Sequence, residues 1–326
     1  MVELDDLRTL SARVGADPLL VQAAGGNTSL KSNGTMWIKA SGTWLKDALA
    51  RDIFVPLDHA AIMAALAQND PACESCTAFV RTDLNATGLR PSIETTVHAL
   101  MPQRVVVHVH CVNTIAWAIR TDAEARLAEK LKGFDWAFIP YARPGLPLAA
   151  AIQQRMRPGV DVLVLGNHGL AVAAQTVEAA DALLAKVVTA LARPVRPAAP
   201  PDRAALEKLC EARPYQPAAM DETHALATDA LALKRGEHAV FYPDHVVFLG
   251  VGVATSFDGN PPLVVRPGQG AFIHHDAKLA IEPMARCLAD VMRRVAEPDP
   301  LVPLTADDID RLVNWDAEKY RQTLKV

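Results

Sequence analysis

The chain of 326 residues has the composition of a globular protein. Half of its residues are hydrophobic, so it can bury a full core in one large domain or two ordinary ones. Its 33 basic and 37 acidic residues give a formal net charge of −4. No basic block is present, which argues against a nucleic-acid partner and favours a small-molecule substrate.

The chain begins with Met-Val-Glu-Leu-Asp-Asp-Leu, which lacks the basic and apolar segments of a signal peptide. Polar residues or prolines interrupt every apolar stretch before it reaches membrane-spanning length. Five cysteines with a single CxxC pair, Cys73 and Cys76, indicate reduced thiols. We therefore expect a cytoplasmic protein that does not bind membranes.

The first part of the chain alternates predicted helices and strands. Leucines at helical spacing predict a helix over 3–14, and the turn at 32–35 predicts a hairpin of strands 28–30 and 36–40. Further helices are predicted after Pro56–Asp58 through about Gln68, within 90–102 after the Pro-Ser entry at 91 and 92, and over 114–119, 122–131 and 177–191. Further strands are predicted over 105–110, 161–166 and 170–172.

A proline-rich connector follows. Four prolines between Arg193 and Asp202 prevent regular structure. We therefore predict a first domain over 1–192, a connector over 193–204 and an α+β region over 205–326. In that region, helices are predicted over 221–234, 276–294 and 305–324, and strands over 246–249 and 263–265.

Three histidines predict a metal site. His108 and His110 lie two residues apart in an apolar strand, so both imidazoles point to the same face. A catalytic zinc site needs three protein ligands and one open position. His168, between Asn167 and Gly169, is the candidate for the third ligand, although a turn histidine that only binds backbone is the simpler reading.

Glu94 has two interpretations. A glutamate in the first turn of a helix is ordinarily a favourable partner of the helix dipole. Alternatively, the Pro91-Ser92 entry directs Glu94 into a cleft beside the histidine strand, where it can transfer protons. Its position in the sequence does not distinguish the two.

Three loops of small polar residues could bind an anion. The segments 25–29, 41–43 and 91–92 offer hydroxyl groups, a side-chain amide and unhindered backbone N–H groups, although each could be only a turn. No Gly-x-Gly-x-x-Gly joins a strand to a helix, so a dinucleotide is not expected.

Five motifs in this order resemble the class II aldolase/adducin family of zinc-dependent sugar-phosphate aldolases. They are Gly25–Ser29, Ala40–Gly42, Arg90–Glu94, His108–His110 and Asn167–Gly169. The resemblance covers roughly the first 190 residues. It implies an α/β fold, a three-layer αβα sandwich around a mostly antiparallel sheet, to which the smaller C-terminal α+β region is added.

The resemblance also implies roles for the motif residues. It assigns Zn²⁺, or another divalent metal, to His108, His110 and His168, and the acid/base role to Glu94. It assigns the substrate phosphate to Gly26, Asn27, Ser41, Gly42 and Ser92. The implied reaction is cleavage of a ketose 1-phosphate into dihydroxyacetone phosphate and an aldehyde through an enediolate, by a homo-oligomer, a tetramer in the family.

Other readings remain open. The second half resembles the aldolase portion of bifunctional rhamnulose-phosphate aldolase/dehydrogenase proteins. Ile93 stands where short fuculose-phosphate aldolases carry a second serine, which puts the phosphate assignment in question. Relatives use the same site as epimerases or decarboxylases of sugar-acid phosphates, and adducin heads are non-enzymatic interaction modules. Tyr141 and Tyr320 are candidates for a second proton donor.

The second half also predicts a degenerate repeat of the first. The strand, glycine turn, strand and helix from Val264 follow the outline of the segment from Leu163, with Gln269 at the position of His168. If Val246–Gly250 repeats Val106–His110, then Phe248 and Gly250 replace the two strand histidines.

Overall fold

A seven-stranded sheet forms the centre of the first part of the protein. A computed structural model describes residues 4–316 and residue 319. The strand order is β3-β2-β1-β4-β7-β6-β5, and all neighbours are antiparallel except β5 and β6. The strands are β1 Asn27–Ser32, β2 Thr35–Lys39, β3 Phe54–Asp58, β4 Val105–Val109, β5 Trp136–Ile139, β6 Val162–Leu165 and β7 Gly169–Ala174.

Helices cover both faces of this sheet. They are α1 Asp5–Ala16, α2 His59–Ala67, α3 Thr95–Leu100, α4 Val112–Ala118, α5 Ala123–Lys130, α6 Leu146–Arg155 and α7 Val177–Ala190. Alternate residues of β4 enter different cores: Val105, Val107 and Val109 contact the α1 and α7 side, and Val106 contacts the α3 and α6 side. The three-layer αβα prediction is therefore confirmed.

The C-terminal region is a smaller α+β unit, as predicted. No helix or strand occurs over 192–202, and α8 Arg203–Cys210 begins directly afterwards. A three-stranded antiparallel sheet has the order β8-β10-β9. The further elements are β8 Tyr215–Pro217, α9 Ala225–Thr228, α10 Ala230–His238, a π-helical segment His245–Leu249, β9 Leu263–Arg266, β10 Gly270–His274, α11 Ile281–Arg293 and α12 Ala306–Val313.

The C-terminal region shares a core with the first part. Ile115 and Ile119, around α4, lie in one apolar cluster with Leu288 and Met292 of α11. Asp299 forms ion pairs with Arg120 and Arg193, all three largely buried. The helix that directly follows the histidine strand is thus covered by the C-terminal region.

Helix α2 begins directly after Pro56–Asp58, as predicted, whereas α3 begins slightly later than its predicted start after Ser92. Residues 54–58 form β3, and the Asp58 carboxylate accepts the Ala61 N–H at 2.9 Å to start α2. Residues 90–92 pair with the end of β2, because the Ser41 N–H bonds to the Arg90 carbonyl and the Ser92 N–H to the Lys39 carbonyl. Therefore α3 begins only at Thr95. The sequence did not predict β5 or α6.

Predictions for the C-terminal region were less accurate. The helix predicted over 221–234 is broken, because the Asp229 carboxylate caps a new helix, α10. The strand predicted over 246–249 is wrong: its valines lie in a cluster with Leu304 and Leu312 as a π-helical segment. Helix α11 starts five residues later than predicted, at Ile281. The predicted end of the last helix, near Leu324, lies outside the described residues.

The repeat hypothesis has a mixed outcome. The hairpins β6-β7 and β9-β10 pair the residues that flank their turns in the same way, Leu165 with Gly169 and Arg266 with Gly270. Because Val246–Gly250 forms no strand, the proposed counterparts of the strand histidines, Phe248 and Gly250, are wrong. A common origin of the two hairpins stays a prediction.

The described helices are short. The longest, α7, has 14 residues, and none of the helices in the described part of the chain is both long and apolar enough to cross a membrane. All five cysteines are free thiols, in agreement with the prediction from their spacing.

Candidate metal and substrate site

The structure brings the three predicted histidines and Glu94 into one buried cluster. His108 and His110 lie at the end of β4, His168 lies in the β6-β7 turn, and Glu94 directly precedes α3. One ligand atom of each residue lies within 4.8 Å of the others. The centroids of the three imidazole rings are 5.0 to 5.2 Å apart.

Polar contacts of the outer ring nitrogens orient two of the imidazoles. His108 Nδ1 lies 3.0 Å from the Leu170 carbonyl oxygen, and His110 Nδ1 lies 2.7 Å from the Asp244 carboxylate. Both partners only accept, so each Nδ1 carries the proton in the neutral ring. Each Nε2 then keeps a lone pair, and the two Nε2 atoms face each other at 3.2 Å.

Glu94 contributes a carboxylate oxygen to the same point. Its Oε1 lies 3.3 Å from His108 Nε2 and 3.0 Å from His168 Nε2. This buried oxygen accepts no hydrogen bond of normal geometry from the described residues. Lone pairs of nitrogen and oxygen that converge without a proton between them are suited to a cation, so the donor set fits a divalent metal such as zinc.

The electrostatics keep these groups in metal-binding protonation states. Burial lowers the pKa of His110, and the Asp244 carboxylate offsets only part of that effect. Burial opposes ionisation of Glu94, but its contacts with His108 and His168 outweigh burial and hold the pKa of the carboxyl well below its usual range. At neutral pH, His110 is neutral and Glu94 is ionised.

A buried hydrogen-bond chain fixes the second oxygen of Glu94, and the sequence analysis missed one member of it. Asn27 Nδ2 donates to Glu94 Oε2 at 2.7 Å and to Ser92 Oγ at 3.0 Å. The Asn27 amide is itself held by His98 Nε2, and His98 Nδ1 bonds to Ser29 Oγ at 2.7 Å. His98 is one helical turn after Glu94, which is the signal that could have identified it.

Burial also fixes the protonation of His98. It lowers the pKa of this ring well below its usual range, and the nearby His108 lowers it further. The ring is therefore neutral and carries one proton. Because Asn27 Oδ1 can only accept, that proton lies on Nε2, and Ser29 donates to Nδ1.

The predicted anion-binding segments line a cleft beside the cluster. The backbone pairing of residues 90–92 with the end of β2 brings Ser92 next to Ser41 and Gly42. Buried Lys39 donates to the carbonyl oxygens of Ala24 at 2.7 Å and Gly26 at 2.8 Å, and so fixes the glycine loop. The lining residues are Ala24, Gly25, Gly26, Asn27, Lys39, Ser41, Gly42, Ser92, Ile93, Glu94, His110, Pro144, His168, Pro243 and Asp244.

Asp244 belongs to this cleft, although sequence reasoning did not predict it. It lies in the C-terminal region, 134 positions after His110, in the segment Tyr242-Pro-Asp-His. Its side chain is 4% exposed. The only signal in the sequence was an acidic residue that follows a proline, which is too common to indicate a site.

Tyr141, the one tyrosine candidate within the described residues, does not join the cluster. Tyr141 contacts the apolar cluster that contains Val246 and Leu304, and it does not line the cleft. Burial, together with the nearby Asp308, raises the pKa of its hydroxyl. Tyr320 lies outside the described residues.

Comparisons with known proteins found a similar sequence and similar folds. A curated relative, "Uncharacterized oxidoreductase YuxG" of Bacillus subtilis, is 27% identical over 187 residues, which are 54% of this chain and 27% of the relative. The chain thus matches only about a quarter of that relative's length.

Two solved structures are also similar. The N-terminal class II aldolase domain of a Thermoplasma acidophilum protein has a TM-score of 0.51 and 24% identity, over 58% of this chain and 92% of that one. An L-fuculose-1-phosphate aldolase from Thermus thermophilus has a TM-score of 0.36 and 17% identity, over 57% of this chain and 92% of that one. The first of these similarities indicates the fold alone.

The match to a family model is more extensive. Residues 9–193 match the model of the "Class II Aldolase and Adducin N-terminal domain", which covers more than half of the chain and includes all four residues of the buried cluster. This chain therefore belongs to the class II aldolase and adducin family.

Proposed function

We propose that this protein is a zinc-dependent aldolase that cleaves a ketose 1-phosphate, or a related sugar phosphate, into dihydroxyacetone phosphate and an aldehyde. The observation that carries the proposal is the buried convergence of Glu94 with three imidazoles beside a cleft of small polar residues. We take His108, His110 and His168 as the metal ligands. Another divalent metal of similar chemistry, in place of zinc, would satisfy the same donors.

Zinc held at this point would act as a Lewis acid that stabilises the negative charge that develops on the substrate's carbonyl oxygen when the carbon–carbon bond breaks. Glu94 is the proton-transfer group, because Oε1 faces the cluster and Oε2 is fixed by Asn27. Its contacts with His108 and His168 outweigh burial and keep its carboxylate ionised, so that it can accept a proton. The same group returns a proton in the reverse direction.

The phosphate is proposed to bind at the segments that carry Gly26, Asn27, Ser41, Gly42 and Ser92. The buried ammonium of Lys39 lies beneath the glycine loop and favours an anion there. Ser92 Oγ already accepts hydrogen bonds from Asn27 Nδ2 and the Glu94 N–H, so its hydroxyl proton can be donated to a phosphate oxygen. Ile93 places an apolar side chain in the same cleft.

Related reactions use closely similar intermediates. Epimerisation or decarboxylation of a sugar-acid phosphate would use the same four residues, and the geometry favours neither over aldol cleavage. The complete donor set argues against an adducin-like interaction module, which needs no buried carboxylate among imidazoles. A tetrameric assembly, a cytoplasmic location and kinship to rhamnulose-phosphate aldolase/dehydrogenase proteins stay predictions.

The test is a substrate screen with zinc-loaded protein. Ketose 1-phosphates and 3-oxo sugar-acid phosphates are supplied, and dihydroxyacetone phosphate or CO₂ is measured. We expect dihydroxyacetone phosphate from at least one ketose 1-phosphate and loss of activity when a chelator removes the metal. CO₂ as the product, or isomerised sugar phosphate without cleavage, would replace the aldolase proposal with one of its alternatives.

The Glu94→Gln variant separates proton transfer from metal binding. It should retain zinc through the three histidines and lose about 10² to 10⁴ in kcat, as expected for loss of an acid/base group. Glu282→Gln is the matched control, because Glu282 caps a backbone N–H in the C-terminal region and should leave kcat unchanged. Full turnover in Glu94→Gln would remove Glu94 from the mechanism.

A further inference from the structure

We propose that Asp244, in the C-terminal region, is a positioning residue of the metal centre, and that it holds His110 in the ring orientation and tautomer that bind the metal. This inference rests on the metal site of the proposed function. It assigns the C-terminal region a part in that site, although the family match ends at residue 193.

The contact between the two side chains is short and buried. Asp244 Oδ2 lies 2.7 Å from His110 Nδ1, and the two side chains are 4% and 8% exposed. A carboxylate oxygen at this distance can only accept, so the proton of a neutral His110 ring belongs on Nδ1. The lone pair is then on Nε2, the atom that faces His108.

His110 needs an orienting group from outside the sheet. His108 is within β4, and its Nδ1 bonds to the Leu170 carbonyl of the neighbouring strand β7. The pairing of β4 with β7 ends at Val109, so the sheet offers His110 no equivalent partner. A carboxylate in that place also makes the imidazole a more basic ligand than a carbonyl does.

Gly25 leaves the space that this contact requires. A Cβ atom at Gly25 would lie 2.9 Å from His110 Nδ1 and 3.2 Å from Asp244 Oδ2. Both distances are shorter than ordinary contacts of a Cβ atom. A side chain at this position would therefore push His110 and Asp244 apart. Lack of space is enough to require a glycine here.

Further contacts fasten the Asp244 segment to the metal-binding turns. Asn167, which precedes His168, donates its side-chain N–H groups to the carbonyl oxygens of Phe241 at 3.0 Å and Val302 at 2.8 Å. The segment that carries Asp244 is thus attached to the turn of His168 and lies in direct contact with His110. A shift of the C-terminal region would therefore change the positions of two metal ligands.

The test is the zinc affinity of the purified full-length protein, measured by competition with a colorimetric chelator. In carboxylate–histidine–metal arrangements, loss of the carboxylate weakens metal binding about 10- to 100-fold. We expect a loss of that size for Asp244→Ala. Asp244→Asn keeps the shape of the side chain and hence the fold, and its loss should be about tenfold, the lower end of this range.

Asp229→Asn is the matched control. Asp229 is also a buried acid of the C-terminal region, where it caps α10 and pairs with Arg196, but it does not line the cleft. Its zinc affinity should stay within about twofold of wild type, because only contacts to the metal ligands change affinity strongly. Equal losses in both variants would mean that general destabilisation is responsible, and would overturn the proposal.

Wild-type zinc affinity in Asp244→Asn and Asp244→Ala would also overturn it, while the aldolase proposal would stand. Conversely, if the Asp244 variants lose zinc affinity as expected but the wild-type protein cleaves no sugar phosphate, the aldolase proposal fails and the role of Asp244 stands. A wild-type protein that binds no divalent metal would remove both.

Discussion

Alanine at Gly26 should destabilise the protein more than alanine at Gly34, and the difference measures the crowding of the glycine loop against the metal strand. Both glycines have left-handed backbone, with φ of +59° and +76°. A Cβ at Gly26 would lie 2.9 Å from the His108 carbonyl oxygen and 3.1 Å from a methyl of Val21, whereas at Gly34 it would meet nothing within 4 Å.

The two costs can be estimated separately. Left-handed backbone costs alanine roughly 1–2 kcal/mol, and the stiffer unfolded chain returns about 0.4–1 kcal/mol. Gly34→Ala should therefore lower the free energy of unfolding by about 1 kcal/mol. Gly26→Ala adds an overpacking cost of about 1–3 kcal/mol, since a backbone oxygen cannot rotate away, so its total loss should be roughly 2–4 kcal/mol.

Urea unfolding of the metal-free proteins measures both losses, and chelator competition then measures zinc affinity. Because Gly26→Ala displaces the backbone of His108, it should weaken zinc binding, and Gly34→Ala should not. Equal free energies of unfolding for the two variants, or unchanged zinc affinity in Gly26→Ala, would refute the argument from crowding.

Two further predictions concern buried histidines. His98→Phe leaves Asn27 Oδ1 without its donor, so stability should fall by about 1–3 kcal/mol and kcat should fall with zinc content unchanged; unaltered kcat would contradict the positioning of Glu94 by this chain. His245 is fully buried without a hydrogen-bond partner among the described residues, and burial lowers its pKa to about 4. Its unfolded-state pKa is about 6.5, so between pH 6.5 and 4 only the unfolded state binds the proton, and the free energy of unfolding falls as the pH falls through this range. His245→Phe should remove up to roughly 3 kcal/mol of this acid destabilisation, as urea unfolding at neutral and acidic pH can measure; an unchanged pH dependence would contradict it.

Local patterns in the sequence were sufficient to predict that two histidines of the candidate site lie together. The two-residue period of a strand places His108 and His110 on one face, and the structure has their Nε2 atoms 3.2 Å apart. The Asn-Gly turn at 33–34 predicted the first hairpin. Both are short-range constraints, which the backbone enforces wherever the segment lies in the fold.

Other features depended on contacts between distant segments. Ser92 reaches the cleft because residues 90–92 pair with the end of β2, which lies far away in the sequence. Val246 and Val247 are β-branched residues that favour a strand. In the structure they lie in a π-helical segment and pack against Leu304 and Leu312. Propensity is a weak preference that burial overrides.

By itself, the sequence determined the αβα architecture through its family resemblance, and the three imidazoles and the candidate carboxylate through strand periodicity and short motifs. Only the tertiary structure decided how those groups are oriented. The ring of His98 fixes Asn27 and thereby Glu94, and Asp244 fixes His110 from the other side of a proline-rich connector. Such partners depend on contacts between segments that are far apart in the sequence, and no local pattern near His98 or His110 predicts these contacts.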